Sequence, residues 1–291
     1  MLFSNLTDHL AEIYGIERAV DMIIEAGYPA ADVSMFQLGY YPFTEDYLEV
    51  TKRIKAKADK AGLSFIQAHA PFGGSKERVL NQLVPHYPRC FEVCEMLGIP
   101  AIVVHPIHFG RYNADFEERF NFNLEFYRSL VPLSEKHGVK IAIENMWTRH
   151  PVSNIICDAI CADPAELCRM YDELNDPKHF TICLDLGHVA LCQREPEDVI
   201  RFIGRERLGA LHVHDVDYLS DLHTLPGCGK INWDNVCRAL GEIDYKGVFN
   251  MEADNFLRGF MPDHYPTVAK FMADTARNLA TLVDSYRPQE D

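Results

Sequence analysis

The strongest constraint on the fold of this chain is an alternation. Segments with apolar residues at helical spacing and short apolar runs that read as strands follow one another with hardly a break. Helical spacing over 9–26 stops at Gly27-Tyr-Pro29, and 31–36 then reads as a strand. A helix over 44–61 ends at Gly62 before a strand over 63–68, and a helix over 76–97 ends at Gly98 before a strand over 99–104. A helix over 115–137 and a strand over 139–144 come next, followed by a connection of about eighteen residues, longer than most in compact domains. Asp163-Pro164, an N-cap followed by a proline at the first helical position, then starts another helix. Strand 179–185, helix 196–203, strand 208–213, a loop to Ile231, helix 233–243, strand 246–252 and helix 265–284 complete the series.

With the N-terminal residues as a first strand, this predicts eight strands and about eight helices. A helix between two strands returns the chain to the same end of a sheet, so the strands run parallel. Eight such units in one chain predict a closed (β/α)8 TIM barrel, a single α/β domain spanning 1–291. An open, doubly wound sheet is the alternative. It is disfavoured because no Gly-x-Gly-x-x-Gly follows the first strand, and because polar residues decorate many strand ends instead of one switch point.

The 47% hydrophobic content of the 291 residues is enough for a sizeable core. No apolar stretch approaches a membrane span, and Met1 to Asp8 lacks the features of a signal peptide, so a cytoplasmic location is expected. Nine cysteines, an odd number, are expected to be reduced thiols. The pairs Cys90/Cys94 and Cys157/Cys161 lack Cys-x-x-Cys spacing and are not read as metal ligands. A net charge of −15 opposes nucleic-acid binding.

Function is concentrated at the strand ends. Lys140-Ile-Ala-Ile-Glu144, Thr181-Ile-Cys-Leu-Asp185, Leu208-Gly-Ala-Leu-His212 and Val248-Phe-Asn-Met-Glu252 each close on a metal-capable side chain. Parallel strands around one barrel bring these tips to a single mouth, where three carboxylates and an imidazole suit a divalent ion. Any one such residue is more often a helix cap or a surface charge, but His69 and His105 occupy strand ends too, and six coincidences are hard to credit to capping. His188 lies three residues beyond Asp185 and could act on a ligand or on the ion itself. His212 and His214 share one side of a strand, and Asp221-Leu-His223 repeats the pairing of carboxylate and imidazole on a loop. Trp147, Phe72, Phe109 and Tyr112 could stack on a flat face of a ligand, while Trp233 is expected in the core. The turn Pro226-Gly-Cys-Gly-Lys230 could offer amides and one ammonium to a phosphate, with an ordinary glycine turn as the other reading.

Together, Gln67-Ala-His-Ala-Pro71, Val103-Val-His-Pro106, Ile143-Glu-Asn145, Leu184-Asp-Leu-Gly-His188, Leu211-His-Val-His-Asp215, Leu225-Pro-Gly-Cys-Gly-Lys-Ile-Asn-Trp233 and Met251-Glu252 resemble the xylose isomerase-like TIM-barrel superfamily over nearly the whole chain. The superfamily includes sugar phosphate isomerases/epimerases, ketose 3-epimerases and type IV apurinic endonucleases. The resemblance implies a metal held by Glu144, Asp185, His212 and Glu252. It places His212 as the ligand ahead of His214, because Asp215 lies three positions on, and it implies a substrate contact for His188. It implies a manganese, magnesium or zinc ion. One ion is expected, with two or three as the alternative, since His69, His105, His188, Asp221 and His223 match the additional ligands of the endonuclease branch.

The expected function is a metal-dependent sugar or sugar-phosphate isomerase/epimerase working through an enediolate, with Glu144 and Glu252 as acid and base. His69, His105, Trp147, His214 and Lys230 are the expected substrate contacts. A multi-zinc phosphodiesterase, or a metal-binding barrel without turnover, is the alternative. Against the phosphodiesterase, Arg111, Arg149, Lys230 and Arg258 supply only about one cation per mouth loop, too thin a spread to track a phosphate backbone. The expected partner is a small sugar, with no membrane and no nucleic acid; self-association into a homo-oligomer is left open.

Overall fold

A computed structural model describes residues 1–110 and 115–288. Arg111 and Tyr112 lie outside the described residues. The barrel is built from β1 (Phe3–Leu6), β2 (Ala30–Ser34), β3 (Ser64–His69), β4 (Ala101–Val104) and β5 (Lys140–Glu144). A hairpin of β6 (Trp147–Arg149) and β7 (Ile156–Asp158) intervenes before β8 (Phe180–Asp185), β9 (Leu208–His212) and β10 (Phe249–Met251). Eight strands lie in the order β10-β1-β2-β3-β4-β5-β8-β9, all pairs parallel. A Val213–Met251 bridge, with the Val213 amide donating to Asn250 O at 2.9 Å and the Glu252 amide to Val213 O at 2.9 Å, closes the ring. The expected (β/α)8 TIM barrel is what forms.

Local chemistry explains where the helices stop. Gly27, Gly62, Gly98 and Gly138 all follow a helix in the left-handed region, at φ between 67° and 88°, where a Cβ would be strained. Three expectations need correction. The helix over 9–26 is two, Asp8–Tyr14 and Ile16–Ala26, because Gly15 at φ 79° and ψ 157° breaks the ladder. The segment 76–97 is regular only over Tyr87–Leu97. Upstream, Pro85 lacks an N–H donor, as does Pro88 in the first turn of that helix, and the chain passes through one short α turn, one π turn and one 3-10 turn instead. The connection after Glu144 carries the β6–β7 hairpin, paired Trp147 to Asp158 and Arg149 to Ile156.

Inside the barrel the two halves differ. Val103, Ala142, Cys183 and Ala210 form a small apolar layer on β4, β5, β8 and β9. On the other half, Asp32 accepts from Gln67 Nε2 and Asn250 Nδ2, both at 2.9 Å, and Ser4 Oγ donates to Asn250 Oδ1 at 2.7 Å. The helices close over the outside with an apolar core that includes Phe91, Tyr127, Phe180 and Phe249. All nine cysteines are free thiols, as expected, and Cys90 and Cys94 are buried on one helix. No helix among the described residues is long and apolar enough to cross a membrane.

Candidate metal centre

Parallel register is what gathers the strand tips. Ser34 pairs with His69, Glu144 with Cys183, and Asp185 with His212, so the last residues of neighbouring strands stand at one level. Glu144, Asp185, His212 and Glu252 are all buried there. His212 Nδ1 lies 3.2 Å from Glu144 Oε1, 2.9 Å from Glu252 Oε2 and 3.8 Å from Asp185 Oδ2. One ring nitrogen thus faces three carboxylates.

The surrounding histidines join the same cluster. His105 Nε2 is 2.8 Å from Glu144 Oε2 and 2.7 Å from His69 Nε2, two ring nitrogens that can share only one proton. His188 Nδ1 is 2.9 Å from Asn145 O and 3.4 Å from Glu144 Oε1. His214 Nε2 is 3.0 Å from Asp185 Oδ1, and its ring stacks on His223 with centroids 3.9 Å apart and planes 6° from parallel. His223 Nε2 is 3.2 Å from Asp221 Oδ1.

Four sets of ligand atoms converge to within 4.8 Å: His69, His105 and Glu144; His69, His212 and Glu252; Glu144, Asp185 and His188; His188, His214, Asp221 and His223. Several buried atoms in these sets have no aligned hydrogen-bond partner, among them Glu144 Oε2, Glu252 Oε2, His212 Nε2, His69 Nδ1 and Asp221 Oδ1. Buried polar atoms left unsatisfied are costly, and a cation is the kind of group that would satisfy this donor set.

Electrostatics point the same way. Burial pushes the Glu144 carboxyl up, but His105 and His212 overcome it and hold the group well below the usual carboxylate range. Asp185 is likewise lowered against burial, by His188 and His214. On the imidazoles, burial works downward. It is outweighed at His188 by Asp185, Glu144 and Asp221, and at His223 by Asp221 and Glu252, which raise the latter to about 10. His212 is raised well above its ordinary value by Cys183, Glu252 and Glu144. Burial and the neighbouring rings of His105 and His212 keep His69 neutral. The carboxylates thus draw positive charge toward His188, His212 and His223, and a bound cation would supply that charge in place of ring protons.

Most of the expected site residues therefore meet, but not all. Trp147, on β6, stands edge-on to His188 with ring centroids 6.5 Å apart. Phe72 lies over His105 and His69, at 4.1 and 5.3 Å between centroids. Phe109 instead packs on Phe122 and under Lys76 Nζ. Lys230 is not brought to the cluster: it lines a shallow hollow with Glu195, Asp217 and Tyr218. The 226–230 turn is no phosphate cradle either, because the amides of Gly227, Cys228 and Lys230 donate to Asp215, Leu225 and Val216.

Three polar residues were missed. Asn145 joins two strand tips, its Nδ2 donating to Asp185 O at 2.9 Å and its Oδ1 accepting from the Asp185 amide at 2.8 Å. Asp215, fully buried, accepts from the amides of Val216, Gly227 and Ile231 and from Trp233 Nε1, at 2.8 to 3.1 Å. That bond also places Trp233 in the core, as expected. Ser34 ends β2 at the level of His69; the strand expected over 31–36 stops there, so no sequence signal marked it.

The fold and the strand-tip cluster together define an α/β barrel with a candidate metal centre. The chain belongs to the family described as xylose isomerase-like TIM barrel, which it matches over residues 20–274. An uncharacterised protein of Methanocaldococcus jannaschii is 29% identical over 198 residues, covering 65% of this chain and 64% of that relative, so the chain spans just under two thirds of its length. An inosose isomerase of Bacillus subtilis is 24% identical over 221 residues, 73% of this chain and 72% of that protein. A solved D-tagatose 3-epimerase-like protein superposes with a TM-score of 0.78 at 20% identity, covering 98% of this chain and 99% of that one. The IolI protein, solved with a zinc atom bound, superposes at 0.75 with 19% identity, covering 99% and 100%. These structural likenesses establish a shared fold.

Proposed function

We propose that this protein is a divalent-metal-dependent sugar isomerase/epimerase. The observation that carries the reading is the pair of glutamates on two separate barrel strands, Glu144 at the end of β5 and Glu252 just after β10, whose carboxylates meet at His212 Nδ1. Glu144, Asp185, His212 and Glu252 would hold the ion, which is manganese, magnesium or zinc by the donor set. When bound, such an ion supplies Lewis acidity to a ketone and its neighbouring hydroxyl, easing loss of the adjacent C–H proton to an enediolate.

This chain's residues would do the rest. One glutamate takes the proton from carbon and the other delivers a proton to the opposite face, which inverts that carbon. Return to the neighbouring carbon interconverts aldose and ketose. His188, with Nδ1 held by the Asn145 carbonyl, would have Nε2 for a substrate oxygen, with the Trp147 ring edge-on beside it. The inosose isomerase among its relatives and the epimerase-like neighbour support a small neutral or phosphorylated sugar as substrate.

A second reading rests on the abundance of ligands. The group of His188, His214, Asp221 and His223 is additional to the quartet, and with His69 and His105 it could hold further ions, as a multi-zinc phosphodiesterase requires. Elemental analysis of protein purified without added metal separates one ion from three. Incubation with ketoses in D₂O should place deuterium on carbon, and Glu252→Gln should abolish this. Exchange that persists at the native rate in that variant refutes the two-glutamate chemistry.

A further inference from the structure

We infer that Asp32, inside the barrel below the strand tips, is a positioning residue for two of the candidate ligands, His69 and Glu252. This inference rests on the metal-centre reading above and names what holds one side of that centre in place.

Side chains two residues apart on a strand share a face, so the residue two places before each candidate ligand lies one layer deeper in the barrel. Below His105, Glu144, Asp185 and His212 these residues are Val103, Ala142, Cys183 and Ala210, the small apolar layer. Below His69 and Glu252 they are Gln67 and Asn250, and both donate to one atom. Gln67 Nε2 and Asn250 Nδ2 each lie 2.9 Å from Asp32 Oδ2. Asn250 is held at its other end too, where its Oδ1 accepts from Ser4 Oγ at 2.7 Å. Side chains of the four neighbouring strands β10, β1, β2 and β3 are thus tied together directly under two candidate ligands.

The tie falls where the ladder is thin. β10 has three residues and meets β9 through the Val213–Met251 bridge, whereas β8 and β9 pair over four positions. A small shift of β10 would carry Glu252 Oε2 away from His212 Nδ1, which lies 2.9 Å from it. Asp32 also stands in the field of these residues: burial raises its carboxyl to about 7, with His212 opposing the rise and Glu252 adding to it.

Packing alone does not call for a carboxylate here. Asp32 is buried, and a buried carboxyl group loses hydration that an apolar side chain of like size never had. Apolar side chains suffice under the other four candidate ligands. A polar layer retained under His69 and Glu252 despite that penalty fixes directions, which hydrogen bonds do and apolar contacts do not. Both bonds to Asp32 fall on Oδ2, while Oδ1 is buried with no hydrogen-bond partner among the described residues. Asparagine can therefore keep both bonds on its one oxygen, and leucine can keep neither.

The test is titration of the protein with manganese and with zinc, alongside NMR of isotope-labelled histidine rings in the metal-free protein. Asp32→Leu should weaken ion binding by about 10- to 100-fold and move the ring signals of His69 and His212, while Asp32→Asn should stay within about threefold of native with those signals in place. Gln67→Met removes one arm of the tie, so it should move the His69 signal and spare His212. Phe91→Leu, in the outer apolar core, lowers the melting temperature without touching this layer and should bind ions as the native protein does. The inference is overturned if Asp32→Leu binds as tightly as native, if Asp32→Asn loses as much as Asp32→Leu, or if Phe91→Leu weakens binding equally. Should Asp32→Leu not fold, an unmoved His69 signal in Gln67→Met overturns it. If the native protein binds neither ion, the metal reading falls and the ring signals decide the positioning alone: moved by Asp32→Leu and kept by Asp32→Asn they uphold it, and unmoved they overturn it.

Discussion

Asp215→Asn is the perturbation that most directly asks how the cluster is held. The Asp215 carboxylate divides four donors evenly: Oδ1 accepts from the amides of Val216 (2.9 Å) and Ile231 (3.1 Å), and Oδ2 from the Gly227 amide (2.8 Å) and Trp233 Nε1 (2.9 Å). Those donors lie at both ends of the loop that carries Asp221 and His223. An asparagine keeps one acceptor oxygen and turns an NH₂ group toward the other two donors. Two hydrogen bonds to a charged acceptor are lost at about 1.5 to 3 kcal/mol each, so the variant should be less stable by about 3 to 6 kcal/mol. Urea unfolding measures the loss. Hydrogen exchange should localise it, with faster exchange at Gly227 and Ile231 and little change in β5 or β8.

Gly229→Ala provides a control that leaves the carboxylate intact. Its Cβ would sit 2.3 Å from Asp215 Oδ1 and 2.5 Å from Val216 O, so it should loosen the same loop. In both variants the ion-binding capacity contributed by Asp221 and His223 should fall before that of Glu144, Asp185, His212 and Glu252. Stability within about 1 kcal/mol of native, together with unchanged exchange across the loop, would refute the assignment of Asp215 as its anchor.

Two further predictions concern residues beside the cluster and remote from it. Gly187→Ala should lower metal affinity or activity by about 10- to 100-fold, because its Cβ would fall 2.0 Å from Cε1 of His214, a fully buried ring stacked on His223; a metal titration at native affinity would count against this. Burial raises the Glu166 carboxyl to about 7, despite the Cys161 amide that donates to it at 2.9 Å. The folded state then binds more protons than the unfolded state between about 4.5 and 7, so native stability should fall as pH rises through that window. Glu166→Gln, which mimics the protonated form, should match the native protein near pH 5 and exceed it by roughly 3 kcal/mol at pH 8, measured by urea unfolding. A difference independent of pH would contradict the raised value.

What was legible in the sequence was local or strictly periodic. Helix ends at Gly27, Gly62, Gly98 and Gly138 depend on one residue's freedom to take positive φ, and the strand tips depend on a run of apolar residues ending in one polar side chain. The pairing within Trp147–Asp158 was not legible, because two three-residue strands show no usable period and are held by each other. The helix Leu186–Leu191 was hidden for a different reason. Asp185 was read as a ligand candidate, yet its Oδ1 also accepts from the His188 amide at 2.6 Å and caps that helix. The same carboxylate is both a helix cap and a candidate ligand. The place of Lys230 was not legible either: its amide is tied to Val216 O, and it lines the hollow beside Glu195.

These contacts divide the candidate ligands by how they are supported. Glu144, Asp185, His212 and Glu252 end strands or follow them by one residue, and Asn145 ties the β5 and β8 tips to each other, so their spacing is set by the barrel ladder. Asp221 and His223 lie outside that ladder, on a loop whose path depends on Asp215, on the Asp215–Thr224 bridge, and on the bond between His223 Nδ1 and Glu252 O at 3.0 Å. A substitution in the first set must disturb a parallel sheet to move a ligand, while a substitution in the second need only release a loop. The barrel ladder therefore fixes where the four strand-tip candidates stand. Any difference in ion number between this protein and others sharing its barrel is most easily made in the loop-borne pair.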